Sequence, residues 1–125
     1  MSLSRRSFLF LVGGVLAGCG LAGNEPDYTV VMEANAFTPA SLVVPVGSLV
    51  AWHNRSDRVH TVTADPALAQ LPERVLLPAN AAIFNSGDLT QGQRWSYRFE
   101  TVGTYVYFCR YYELDEMIGT VRVTA

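Results

Sequence analysis

Cys109 and Met117 stand at the two ends of one short segment, Cys109-Arg-Tyr-Tyr-Glu-Leu-Asp-Glu-Met117. A thiolate and a thioether on one tight loop form a soft donor pair, and soft sulfur donors select copper. The chain also carries two imidazoles, His53 and His60. One of them joined to the sulfur pair would make a set acceptable to both Cu(I) and Cu(II).

The elements that must hold these residues read as short strands between turn signals, the pattern of an all-β sandwich. Tyr28–Ala34 is a first strand. Phe37-Thr-Pro-Ala-Ser-Leu42 turns into Leu42–Pro45, and Gly47 sets a turn before Leu49–Asn54. There Val50 and Trp52 share one face, while Ala51 and His53 share the other. That parity turns His53 away from the core and from the candidate site. His60 and Val62 share a face, which puts His60 at the edge of the core. Trp95, Tyr97 and Phe99 line one face of a later strand; Tyr105, Tyr107 and Cys109 line another. Val121 and Val123 share parity with Met117, so two strands deliver Cys109 and Met117 to the same end of the fold. Residues 65–85 are less regular. Asp65-Pro66 starts a helical turn, with Asp65 as cap, and Leu76, Leu77, Ile83 and Phe84 are expected to cover one end of the barrel.

The N-terminal stretch reads as targeting rather than fold. Ser4-Arg5-Arg6-Ser7-Phe8-Leu9 is a twin-arginine export pattern, and the apolar run Phe8–Leu16 is too short to span a bilayer. Leu16-Ala17-Gly18-Cys19 resembles a bacterial lipobox, which implies cleavage before Cys19 and lipid attached to its thiol. Residues 1–18 are then a signal peptide, 19–27 a lipidated tether and 28–125 the single folded domain. The protein is expected at the cell envelope, anchored to the membrane rather than spanning it. Lipidation of Cys19 leaves Cys109 without a disulfide partner. A lone thiol in an oxidising compartment calls for metal ligation or deep burial. Lysine is absent and the net charge is −2; with no basic stripe, nucleic acid is not an expected partner.

The ordered set of motifs resembles the cupredoxins of the plastocyanin type. It runs through Phe37-x-Pro39, Val44-x-x-Gly47 and Val50-x-Trp52-x-Asn54-x-x-Asp57-x-x-His60-Thr-Val-Thr63. It continues in Ser86-Gly87-x-Leu89-x-x-Gly92, Phe99-x-x-x-Gly103-x-Tyr105-x-Tyr107-x-Cys109 and Met117-x-Gly119-x-Val121-x-Val123. The resemblance covers residues 28–125 and implies an antiparallel Greek-key β-sandwich with one copper ion at one end. Carried over by position, His60 is an imidazole ligand, Cys109 the thiolate and Met117 the axial thioether. The backbone of Thr61 is placed to tune the Cys109 sulfur.

One position departs from that pattern. The family reads Cys-x-x-His-x-x-x-x-Met, and here Tyr112 replaces the histidine. Tyr111 stands where the family often has Pro, and Glu116 where it often has Gly. Tyr112 has three readings: a phenolate ligand, a space-filler over a three-ligand site, or the mark of a domain that has lost copper. The space-filler is preferred over the phenolate, because an anionic oxygen beside a thiolate disfavours Cu(I). A free phenol ionises only near pH about 10, although a cupric ion lowers that. Glu113, Asp115 and Glu116 offer a carboxylate as an alternative ligand, against the ordinary expectation that loop charges are solvated.

The resulting expectation is a monomeric, membrane-tethered electron carrier, not an enzyme, serving a membrane-bound or periplasmic redox partner. A Cu(I)-delivery module and a metal-free interaction scaffold are the alternatives, since fold alone does not decide function.

Overall fold

Strand-forming runs of alternating apolar and polar residues become nine strands among the described residues, 25–125 of a computed structural model. The expected signal peptide, Cys19 and most of the expected tether fall on residues outside those described. The strands are β1 (Tyr28–Met32), β2 (Phe37–Thr38), β3 (Ser41–Pro45), β4 (Ser48–Asn54), β5 (Thr63–Ala64), β6 (Phe84–Asn85), β7 (Arg94–Phe99), β8 (Gly103–Phe108) and β9 (Ile118–Thr124). They form a four-stranded sheet, β2-β1-β4-β7, and a five-stranded sheet, β3-β9-β8-β5-β6.

The all-β sandwich is as expected, but its pairing is not wholly antiparallel. Each sheet holds one parallel pair, β1 with β4 and β9 with β3. The cause is the turn at Gly47, whose φ of 92° favours glycine. It carries the chain from β3 into the opposite sheet instead of closing a hairpin. Each sheet therefore combines pairs of consecutive strands, such as β1–β2 and β8–β9, with a parallel pairing of strands distant in sequence.

Alternation in β4, β7 and β8 buries Trp52, Phe99, Tyr105 and Tyr107 between the sheets. The Trp52 indole N–H donates to the Tyr107 hydroxyl at 3.0 Å. Burial holds the Tyr107 phenol well above its ordinary range, so it remains neutral. Gly119 lies opposite Tyr107 in the β8–β9 ladder. A Cβ on Gly119 would stand 2.2 Å from Cζ of that ring, so only glycine admits it.

Between β5 and β6 the chain makes two 3₁₀ turns, Pro66–Leu68 and Pro72–Arg74. Asp65 caps the first, accepting the Ala67 N–H at 3.0 Å. The expected apolar cover is only partly realised. Phe84 is buried and Leu77 packs against the core, but Leu76 is 49% exposed and Ile83 56% exposed. Leu76 instead bridges Val106 through its backbone, in both directions.

Candidate metal centre

Cys109 follows the last residue of β8 and is fully buried. His60, placed at the core edge by sequence parity, is fully buried too. Its backbone exchanges two hydrogen bonds with Leu89, at 3.0 and 2.8 Å, which draw it in from the loop. The two side chains, 49 positions apart, bring Cys109 Sγ within 3.5 Å of His60 Nδ1. The other ring nitrogen, Nε2, is buried with no partner at hydrogen-bond geometry. Desolvation by burial, opposed by the Glu33 backbone and aided by the Arg58 charge, holds the His60 pKa below its ordinary value. A neutral imidazole beside a thiol is a ready donor.

The loop before His60 is built by Asn54, which is fully buried. Its amide donates to the carbonyls of Arg58 at 2.7 Å and Leu89 at 2.8 Å. Its oxygen accepts from the N–H and hydroxyl of Ser56. Every polar atom of this buried side chain is satisfied.

After His60, the Thr61 N–H points at Cys109 Sγ at 3.4 Å. The Thr61 hydroxyl accepts from the Arg110 N–H at 2.9 Å and pairs with the Thr63 hydroxyl at 2.9 Å. Thr63 in turn donates to Asn85 Oδ1 at 2.9 Å. A chain of hydrogen bonds therefore ties the cysteine loop to β5 and β6. The sequence reading singled out only the Thr61 backbone. The Thr-x-Thr spacing was the one signal of the rest, since residues two apart on a strand face the same way.

Met117 closes the loop and is fully buried in the same apolar cluster as Cys109. The Cys109 N–H donates to the Met117 carbonyl at 3.1 Å, and the Met117 N–H to the Tyr112 carbonyl at 3.1 Å. Tyr112 packs against the core, its ring edge-on to His60 with centroids 5.3 Å apart. The Arg58 guanidinium lies over the Tyr112 ring, 5.4 Å from its centroid. Neighbouring Tyr111 is 55% exposed and donates its hydroxyl to Asp88 at 2.8 Å.

The loop carboxylates do not all behave as solvated charges. Asp115 is exposed, and Glu116 pairs with Arg74 through both its oxygens, at 2.6 and 3.2 Å. Glu113 is buried, and both its oxygens accept backbone N–H groups, from Gln70 at 2.9 Å and Leu71 at 2.8 Å. Neither glutamate is free to act as a ligand without surrendering these partners. His53 lies outside the site, cross-strand from Arg94 in the β4–β7 ladder. Desolvation, with Arg94 and Arg55 beside it, lowers its pKa.

Residues 27–124 match the family model of copper-binding proteins of the plastocyanin/azurin family. The chain belongs to that family. This cupredoxin is 31% identical to the plastocyanin of Scenedesmus fuscus over 103 residues, covering 78% of this chain and 99% of the relative. It is 27% identical to the chloroplastic plastocyanin of Tetradesmus obliquus, covering 89% of this chain and 77% of that protein. Among solved structures it resembles a purple cupredoxin from Nitrosopumilus maritimus, with a TM-score of 0.59 and 25% identity over 78% of this chain and all of that one. It also resembles a reduced amicyanin variant, with a TM-score of 0.61 and 26% identity over 78% of this chain and 81% of that one. Cupredoxins of this family bind one copper ion and carry electrons to partner proteins.

The residues present suit such an ion. Bonds of about 2.3 Å to thiolate sulfur and about 2.0 Å to imidazole nitrogen, as at zinc, place the two donors about 3.5 Å apart at a tetrahedral angle. The observed Sγ to Nδ1 separation is 3.5 Å. Among the described residues, no group of three or more His, Cys, Asp or Glu side chains could hold a metal. Met117, buried in the same cluster, and Tyr112, packed against His60, bring a thioether and a phenol to this end of the fold.

Proposed function

We propose that this cupredoxin binds one copper through His60, Cys109 and Met117 and passes single electrons while lipid-anchored at the cell envelope, in the periplasm or on the outer face of the plasma membrane. The observation that carries the reading is the 3.5 Å approach of two fully buried donors, Cys109 Sγ and His60 Nδ1.

Bound copper supplies a one-electron change between Cu(I) and Cu(II). The chain holds the donors so that little need move during that change. Cys109 and Met117 are tied through the loop backbone, and His60 through Leu89. The Thr61 N–H faces the Cys109 sulfur and withdraws electron density from it, which favours the reduced ion. Tyr112, as a cover packed edge-on to the His60 ring, keeps water from that side. Two sulfur donors and a single imidazole form a set that leans toward Cu(I).

An optical redox titration of the copper-loaded protein tests the reading. Reversible one-electron cycling without metal loss is expected. A Cu(I) complex that sheds its metal on oxidation would favour copper delivery instead. The tether is tested by cell fractionation: the wild type should partition with membranes and Cys19→Ala should not.

A further inference from the structure

The buried carboxylate of Glu113 plays no part in the reading above, yet it occupies the middle of the segment that joins Cys109 to Met117. Only 2% of the residue is exposed. An ionised carboxylate taken out of water is strongly disfavoured unless it is hydrogen-bonded. Here two consecutive amides of a different segment, Gln70 and Leu71, donate to its two oxygens at 2.9 and 2.8 Å. Hydrogen bonds to an ionised acceptor are roughly twice as strong as neutral ones.

A second attachment joins the same two segments. Arg74 makes a forked pair with Glu116, immediately before Met117. Glu116 is left-handed, with φ at 67°, a conformation that disfavours non-glycine residues. Glutamate in place of the more permissive glycine thus coincides with a contact to the 66–74 segment. Elsewhere the loop is held by the Arg110 N–H on the Thr61 hydroxyl and by the Tyr111 hydroxyl on Asp88, and its backbone–backbone bonds are its own turns and its Cys109–Met117 closure.

We propose that Glu113 is a positioning residue, which clips the Cys109–Met117 loop to the Gln70–Leu71 backbone and sets the donor geometry before copper enters. The proposal rests on the assignment of Cys109 and Met117 as ligands. Both Glu113 oxygens are taken up by the Gln70 and Leu71 amides, so it would act on the donors through the loop backbone that carries them.

The test compares full-length wild type, Glu113→Gln and Glu113→Asp by two measurements. Hydrogen exchange of the metal-free protein reads the clip. Electron paramagnetic resonance of the cupric protein, at verified one-to-one loading, reads the donor geometry. Glu113→Gln should speed exchange at the Gln70 and Leu71 amides by about tenfold or more. It should also change the cupric hyperfine splitting. Glu113→Asp keeps the two acceptor oxygens on a shorter stem and should restore part of both; it also serves alone if Glu113→Gln does not fold. Faster exchange with an unchanged cupric spectrum overturns the proposal and leaves a merely structural carboxylate. Unchanged exchange overturns the clip itself. Protected amides in a wild type that gives no cupric signal would sink the ligand assignment, and the positioning role with it.

Discussion

The ring of Tyr112, which stands at the sequence position of the family pattern's second imidazole, meets the ring of His60 edge-on, with centroids 5.3 Å apart. Arg58 lies over the tyrosine at 5.4 Å and holds it in place. As a cover rather than a ligand, Tyr112 should be replaceable by Phe with no change in the thiolate-to-copper absorption. Tyr112→Ala should instead admit water and small ligands, and added azide or imidazole should then shift the spectrum. A band that moves in Tyr112→Phe would show the phenol oxygen to be a ligand.

Thr61 links the cysteine loop to the sheet through its hydroxyl, which accepts from Arg110 and pairs with Thr63. Thr61→Val keeps the shape and removes that oxygen, leaving buried partners unsatisfied. Metal-free protein should lose about 1–3 kcal/mol in urea unfolding. The band should shift less than it does in variants of the donors themselves, because the Thr61 N–H to sulfur contact is backbone. A variant as stable as the wild type would mean that water replaces the hydroxyl.

Gly119 is held to hydrogen by the Tyr107 ring, which an added Cβ would meet at 2.2 Å. Gly119→Ala must displace Tyr107 and break its bond to the Trp52 indole. Overpacking of this kind costs about 1–3 kcal/mol, and the lost buried hydrogen bond adds to it. Urea unfolding checks the magnitude, and near-ultraviolet circular dichroism checks that Trp52 has moved. Wild-type stability would show that the β8–β9 contact yields more easily than the geometry implies.

His53 serves as the control. It lies cross-strand from Arg94 and outside the site. His53→Gln should leave copper stoichiometry and spectrum unchanged, with stability within about 0.5 kcal/mol of wild type. A lost cupric band would reassign the imidazole.

Strand parity made the sandwich legible: the alternations through Trp52, Tyr97, Phe99 and Tyr107 mark buried faces, and those residues are buried or half-buried in the fold. Parity also turned His53 outward, where the structure has it. Other features depend on contacts that no local pattern encodes. The parallel pairs follow from a turn that changes sheets, and sequence shows the turn at Gly47 but not its destination. Leu76 and Ile83 look like core by hydropathy, yet the backbone bridge to Val106 leaves Leu76 half exposed. Glu113 looks like an ordinary loop charge, because its partners are backbone amides more than forty positions away. Thr61 fell in between: its neighbourhood to His60 pointed to the Cys109 sulfur, but the hydroxyl chain to Asn85 required the fold.

The central claim is that one copper is held by His60, Cys109 and Met117 and can exist there in the cupric state. An anaerobic Cu(II) titration read by visible absorption and electron paramagnetic resonance tests it most directly. An intense thiolate-to-copper band that saturates at one equivalent, disappears in Cys109→Ser and is lost or strongly altered in His60→Ala is the predicted result. Absence of that band from folded wild-type protein, or its survival in Cys109→Ser, would contradict it.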